Sequence, residues 1–164
     1  MKTILFQGDS ITDGMHGGDM NHVYGHGYAC EIASRYQAYR PEDRLHFANR
    51  GKSGDTSSNL VERWSTDAFP YAIKETGYEG ALGLKKGQLV TPDWVSILVG
   101  VNDYYYWLRN LPQKVSCGDY EANLRTILGF LKEHADKVVF CLTTPVPEWL
   151  ACDGFGRIRV YNEM

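Results

Sequence analysis

Three short segments carry residue types suited to acyl transfer. Gly8-Asp9-Ser10-Ile11-Thr12 offers a hydroxyl, Asn49-Arg50-Gly51-Lys52-Ser53-Gly54-Asp55 offers glycine-flanked backbone amides, and Gly100-Val101-Asn102-Asp103 offers a side-chain amide. Acyl transfer needs a nucleophile, plus hydrogen-bond donors aimed at the oxygen on which negative charge develops. Ser10 suits the first role, while backbone amides and Asn102 suit the second. The same residues are also ordinary turn chemistry, because Gly, Asp and Ser end strands for purely local reasons. Where the chain positions them separates the two readings.

Each segment follows a run that reads as a strand. Ile4-Leu5-Phe6 lies within a strand over Thr3–Gln7, Leu45–Ala48 forms a second, and Val95–Val99, mostly apolar and β-branched, fits a buried parallel strand. Between Gly25 and Tyr39, Tyr28, Ala29, Ile32, Ala33 and Tyr36 recur at helical spacing, and Pro41 closes the segment. Leu60, Val61, Trp64 and Ala68 make a second helical stripe that Pro70 ends. Asp119 is placed to cap a third helix with Leu124, Ile127, Leu128 and Leu131 inward, and Val138–Thr143 supplies the fourth strand. Such alternation predicts a parallel sheet covered on both faces, with ligands beyond the carboxyl ends of its strands. All three segments fall there. Between Pro70 and Asp93 the periodicity fades among Gly77, Gly80, Gly83 and Gly87, so that stretch reads either as a lid or binding loop or as a misread element.

Composition narrows the partners. The 164 residues, 43% of them hydrophobic, fit one domain spanning 1–164. A net charge of −3 and a pI near 5.9 leave no basic stripe, which argues against nucleic acid or an anionic membrane surface and favours a small-molecule substrate. No run is long and apolar enough to span a bilayer, and the apolar start is too short for an export signal. Cys30, Cys117, Cys141 and Cys152 show neither a C-x-x-C pair nor zinc spacing, and Cys141 lies in an apolar run. They read as free thiols of a reducing, cytoplasmic compartment. His22 and His26 stand four apart near His16, but His26 lies between Gly25 and Gly27, where a helix is only beginning, so no metal is expected. Tyr104-Tyr105-Tyr106-Trp107 cannot all face a core, and at least one is expected at the cleft. Arg50, Lys52 and Asp55 read as a solvated rim, where Arg50 or Lys52 could alternatively touch an anionic substrate group.

With these blocks in this order, the chain resembles the SGNH hydrolases, the GDSL-type esterase and lipase family. Gly8-Asp9-Ser10-Ile11 is similar to its nucleophile block, Asn49-Arg50-Gly51-Lys52-Ser53-Gly54 to its second, and Gly100-Val101-Asn102-Asp103 to its G-x-N-D block. The resemblance implies a three-layer α/β/α, flavodoxin-like fold with a mainly parallel sheet. It implies cleavage of carboxylic esters, acetyl or short acyl esters of sugars or lipids, through an acyl-Ser10 intermediate and without a cofactor. Ser10 would be the nucleophile and give its own amide to the oxyanion, Gly54 a second amide and Asn102 a side-chain N–H. Asp9 and Asp103 would support the loops rather than serve as the triad acid.

The family's fourth block, an Asp and a His three residues apart, has no counterpart near the closing Tyr161-Asn162-Glu163-Met164. Asp19-Met20-Asn21-His22 has the spacing but lies before the second strand and reads as coincidence. A serine without a base is a poor nucleophile. Three explanations are open: the chain is a fragment of a longer esterase, a naturally shortened product, or one completed by a partner subunit. The fragment is favoured, because Phe155–Met164 reads as the beginning of a helix leading to a further strand. A sheet lacking that strand would have an unpaired edge able to promote homodimers. The rival reading is a non-catalytic small-molecule or carbohydrate-binding domain derived from the esterase. A phosphate site on a helix N-terminus is disfavoured, since Asp9 would repel the anion and no G-x-x-x-x-G-K pattern is present.

Overall fold

In the computed structural model, which describes residues 1–16, 23–73, 80 and 82–143, the strands are β1 (Lys2–Gly8), β2 (Leu45–Asn49), β3 (Tyr71–Ala72), β4 (Leu89–Val90), β5 (Trp94–Leu98) and β6 (Lys137–Cys141). The described helices are α1 (Ser10–Asp13), α2 (Tyr28–Tyr39), α3 (Ser57–Asp67), α4 (Val101–Leu108) and α5 (Cys117–His134). One sheet has the order β2-β1-β5-β6, with each neighbouring pair parallel. Its register sets Phe6 against Asn49 and Gly8 against Leu98, which faces Cys141 in turn. Three chain exits therefore share one edge of the sheet.

β1 and β5 are interior strands, and all their apolar residues but Ile4 and Trp94, which are half-buried, are buried, on both faces as helical layers require. On one face Leu5, Val95 and Ile97 pack with Leu60 and Trp64 of α3 and with Ile127 and Leu131 of α5. On the other, Phe6 and Phe47 stack with centroids 6.3 Å apart beneath Ala29 and Ala33 of α2. Two small residues one turn apart let α2 lie close over those rings. Among the described residues the result is a three-layer α/β/α arrangement with an all-parallel four-stranded sheet, as the alternation of elements predicts.

Three local expectations change. Ile32 points outward at 47% exposure, because Tyr28, Ala29, Ala33 and Tyr36 already fill the narrow stripe of α2 that meets the sheet. The cap of α5 is Ser116, whose Oγ accepts the Asp119 amide at 3.1 Å, while Asp119 sits inside the first turn. The described residues of the 70–93 stretch are anchored, which favours the misread-element alternative. β3 and β4 pair antiparallel, with Tyr71 opposite Val90, and Tyr71, Ile73, Leu84 and Val90 all enter the main core. The pairs Asp19–His22 and Phe155–Met164, with Cys152, lie outside the described residues. Cys30, Cys117 and Cys141 are free thiols, and Cys141 is only partly buried.

Candidate active site

The turn after β1 depends on Gly8. A Cβ there would stand 2.1 Å from the Leu98 carbonyl oxygen and 2.4 Å from Thr12 Oγ1, so only glycine lets β1 pass this close to β5 and α1. The Asp9 amide then donates to the Leu98 carbonyl at 3.3 Å, and Asp9 Oδ1 caps α1 by accepting the Ile11 amide at 3.0 Å. Burial pushes the Asp9 carboxyl up to about 6; the Ile11 bond opposes this, and the charges of Asp103 and Asp55 add to it. Ser10 follows as the first residue of α1, with its side chain exposed.

The loop after β2 is tied to this turn. Asn49 Nδ2 donates to the Thr12 carbonyl at 2.7 Å and the Tyr24 carbonyl at 2.9 Å, while its Oδ1 accepts the Gly51 amide at 2.9 Å. A Cβ at Gly51 would come within 2.2 Å of the Asp13 nitrogen. The Lys52 amide donates to the Gly8 carbonyl at 3.0 Å. Gly54 is exposed and left-handed, with φ +86, a conformation that strains any residue with a side chain.

Arg63, which sequence reading did not single out, joins these pieces. Its guanidinium donates to Asp55 Oδ2 at 2.5 Å, Asp67 Oδ2 at 2.7 Å, the Arg50 carbonyl at 3.0 Å and the Gly8 carbonyl at 3.2 Å. From the third segment, Asn102 Nδ2 donates to the Asp55 carbonyl at 2.8 Å. A carboxamide carries two N–H groups, so this bond fixes the side chain and leaves one proton for another acceptor. Asp103 is fully buried; the Ser57 amide donates to its two oxygens at 3.0 and 2.9 Å, and the Ser57 hydroxyl donates to Oδ1. Burial raises the Asp103 pKa against those bonds. Asp9 and Asp103 thus both hold backbone, one at α1 and one at α3.

The solvated-rim reading fails for two of its three members. Asp55 is 5% exposed and paired with Arg63, and Arg50 donates to the Ala72 carbonyl at 2.7 Å while lying over the Tyr71 ring. Lys52 alone is exposed. Of the aromatic run, Tyr104 is buried, Tyr105 is exposed, and the Tyr106 hydroxyl lies 3.8 Å from where a Gly54 Cβ would stand. One D-x-x-H pair escaped sequence reading: Asp13 and His16 have that spacing and meet, Oδ1 to Nδ1, at 2.6 Å. The signal was in plain spacing, at the end of the nucleophile block. Among the described residues no cluster of three or more His, Cys, Asp or Glu could hold a metal ion, and no helix is long and apolar enough to cross a membrane.

The site belongs to a three-layer α/β domain that gathers its polar loops beyond the carboxyl ends of parallel strands. The chain belongs to the GDSL-like lipase/acylhydrolase family, whose model matches residues 6–164. An acetylxylan esterase of Geobacillus stearothermophilus is 33% identical over 134 residues, covering 77% of this chain and 52% of that protein. The chain thus spans about half the length of this curated relative. A crystal structure of an acetylxylan esterase from the same organism matches with a TM-score of 0.77 at 25% identity, over 99% of this chain and 68% of that one. An α/β hydrolase from the metagenome of Lake Arreo, Spain, shares the fold, with a TM-score of 0.75 at 24% identity over 99% and 69% of the two chains. Solved catalytic mutants of the Geobacillus esterase replace a serine, an aspartate and a histidine by alanine.

Proposed function

We propose that this domain hydrolyses carboxylic esters through an acyl intermediate on Ser10, with acetylated sugars such as xylo-oligosaccharides as its substrates. The supporting observation is that three strand exits are tied into one edge by the bonds Asp9 to Leu98, Lys52 to Gly8 and Asn102 to Asp55. In this reading Ser10 Oγ adds to the ester carbonyl carbon as its proton passes to a histidine base. The carbonyl electron pair moves to oxygen, where the amides of Ser10 and Gly54 and the second N–H of Asn102 receive the charge. Collapse of the adduct breaks the bond to the alcohol, which leaves with the proton, and water repeats the sequence on the acyl-Ser10. Gly54 holds a left-handed φ of +86 at the end of its loop, and the bond to the Asp55 carbonyl pre-orients Asn102, so that side chain does not need to reorganise during the reaction.

The histidine is the remaining part. His16, His46 and His134 bond to Asp13, Tyr71 and the Phe130 carbonyl respectively. The reading gives none of them the proton of Ser10, whereas the Geobacillus relative has a histidine and an aspartate among its mutated catalytic residues. The experiment is hydrolysis of nitrophenyl acetate by this chain, by Ser10→Ala and by the complete product of its gene, with fluorophosphonate labelling of Ser10 in parallel. Activity and labelling lost in Ser10→Ala, in either length of protein, support the reading. Silence of both lengths overturns it and leaves the non-catalytic small-molecule or carbohydrate-binding domain.

A further inference from the structure

We propose that the cavity between α1 and the loop after β2 binds the alcohol part of the ester, a hydroxyl-rich sugar ring, and that His16, Lys52 and Ser53 recognise it; this rests on the esterase reading. The cavity holds about 330 Å³ and is lined by Asp13, His16, Arg50, Lys52, Ser53 and Asp67, among others. That volume lies at the lower end of small-molecule sites, which run from about 300 to 1,000 Å³. Ser10 and Gly54 do not line it, but a residue close to each in the chain does. Asp13 closes the single turn that Ser10 opens, and Ser53 precedes Gly54.

Asp13 organises the wall. Its Oδ1 meets His16 Nδ1 at 2.6 Å, and its Oδ2 accepts the Ser53 hydroxyl at 2.7 Å. With Nδ1 held by Asp13, through its carboxylate and at 3.1 Å through its carbonyl, Nε2 is the ring nitrogen left to exchange a hydrogen bond with a hydroxyl. Ser53 has committed its proton and keeps oxygen lone pairs, while the exposed Lys52 ammonium supplies donors at the rim. Acceptors and donors therefore alternate, which suits hydroxyls that both give and take hydrogen bonds. Two other occupants fit worse. An anionic group would face the carboxylates of Asp13 and Asp67. Arg50 is already committed to the Ala72 carbonyl at 2.7 Å, to Asp67 at 3.6 Å and to the Tyr71 ring. An alkyl chain would leave this polar wall desolvated and unpaired.

The test uses xylobiose, the unacetylated counterpart of the proposed ester, with wild type, His16→Ala and Lys52→Ala, each checked by thermal melting. Calorimetry reads the xylobiose dissociation constant, and kinetics reads kcat/KM for acetylated xylobiose relative to nitrophenyl acetate. Each variant is expected to weaken xylobiose binding about fivefold to tenfold, the loss of one hydrogen bond, and to lower the kinetic ratio by a similar factor. Wild type that does not bind xylobiose, or variants that melt like wild type and bind it equally well, would overturn the sugar site. If xylobiose binding weakens in the variants but wild type cleaves no ester, the sugar site stands and the esterase reading falls. If esters are cleaved and the ratio does not move, the reverse holds.

Discussion

Asp9 and His46 are buried titratable groups whose effects on stability run in opposite directions over the same pH range. Asp9 is 1% exposed, and its Oδ2 has no hydrogen-bond partner among the described residues. Its carboxyl is pushed from 3.8 to about 6, so the folded chain keeps a proton that the unfolded chain releases. Between about pH 4 and 6 this group costs stability as pH rises, by about 3 kcal/mol in all. His46 is fully buried with Nδ1 on the Tyr71 hydroxyl, and burial, helped by Arg50, lowers its pKa from 6.5 to about 4. Here the unfolded chain binds the extra proton, so stability rises with pH over that window by a similar amount, about 3 kcal/mol. The two slopes oppose one another in the wild type. Asp9→Asn keeps a side-chain oxygen for the α1 cap and removes one of them. Urea denaturation at a series of pH values from 4 to 6.5 is expected to show a steeper rise of stability with pH in the variant; parallel profiles would refute the assignment. That Asp9 supports a loop follows from the family resemblance. The cost of burying it was not legible, since that depends on strands far away in the sequence.

At the scale of elements, the part of the site that sequence periodicity could not reveal is the clamp on the strand ends. Helical and strand periods mark what faces a core, and α2, α3, α5 and the four parallel strands were readable on that basis. Arg63 lies on the α3 face beside Leu60 and Trp64, and nothing in its spacing separates it from a solvated charge. Apart from Asp67, one turn on in α3, its partners come from the ends of β1 and β2 and from Asp55, and the Gly8 carbonyl is 55 positions away. The same distance problem hid the pairing of β3 with β4, whose two-residue strands are too short to show alternation. Arg63→Met would leave Asp55 as a buried carboxylate without its guanidinium, a change that costs about 3 to 5 kcal/mol. Arg63→Lys keeps a charge near Asp55 but cannot span four acceptors, and is expected to recover only part of the loss. Denaturant midpoints would show the order wild type, Lys, Met. A Met variant within about 1 kcal/mol of wild type would mean that the clamp adds little.

At the scale of the whole molecule, the sheet of the described residues has two edges, β2 and β6. β1 and β5 each lie between two strands, whereas β6 pairs with β5 and, among the described residues, has no strand on its other side. The residues there are poorly protected: Val139 is 49% exposed and Leu142 62%, while Val138 and Phe140 are packed against the core. At one end Lys137 lies over Trp94 with Lys2, which supplies charge that discourages strand addition there but not further along. A second copy approaching about a twofold axis would set β6 antiparallel to its mate and continue the sheet through both domains, satisfying backbone groups and covering both Val139 side chains. We predict that this chain self-associates through β6. Val139→Lys places a charge in the middle of the edge at a position already half-exposed, so the fold should tolerate it while the pairing should not. Sedimentation velocity across a concentration series is expected to show a dimer boundary that grows for wild type and is absent for Val139→Lys. A wild type that sediments as a monomer throughout would show that the edge is covered or blunted in solution, and an unchanged dimer in the variant would place the contact elsewhere.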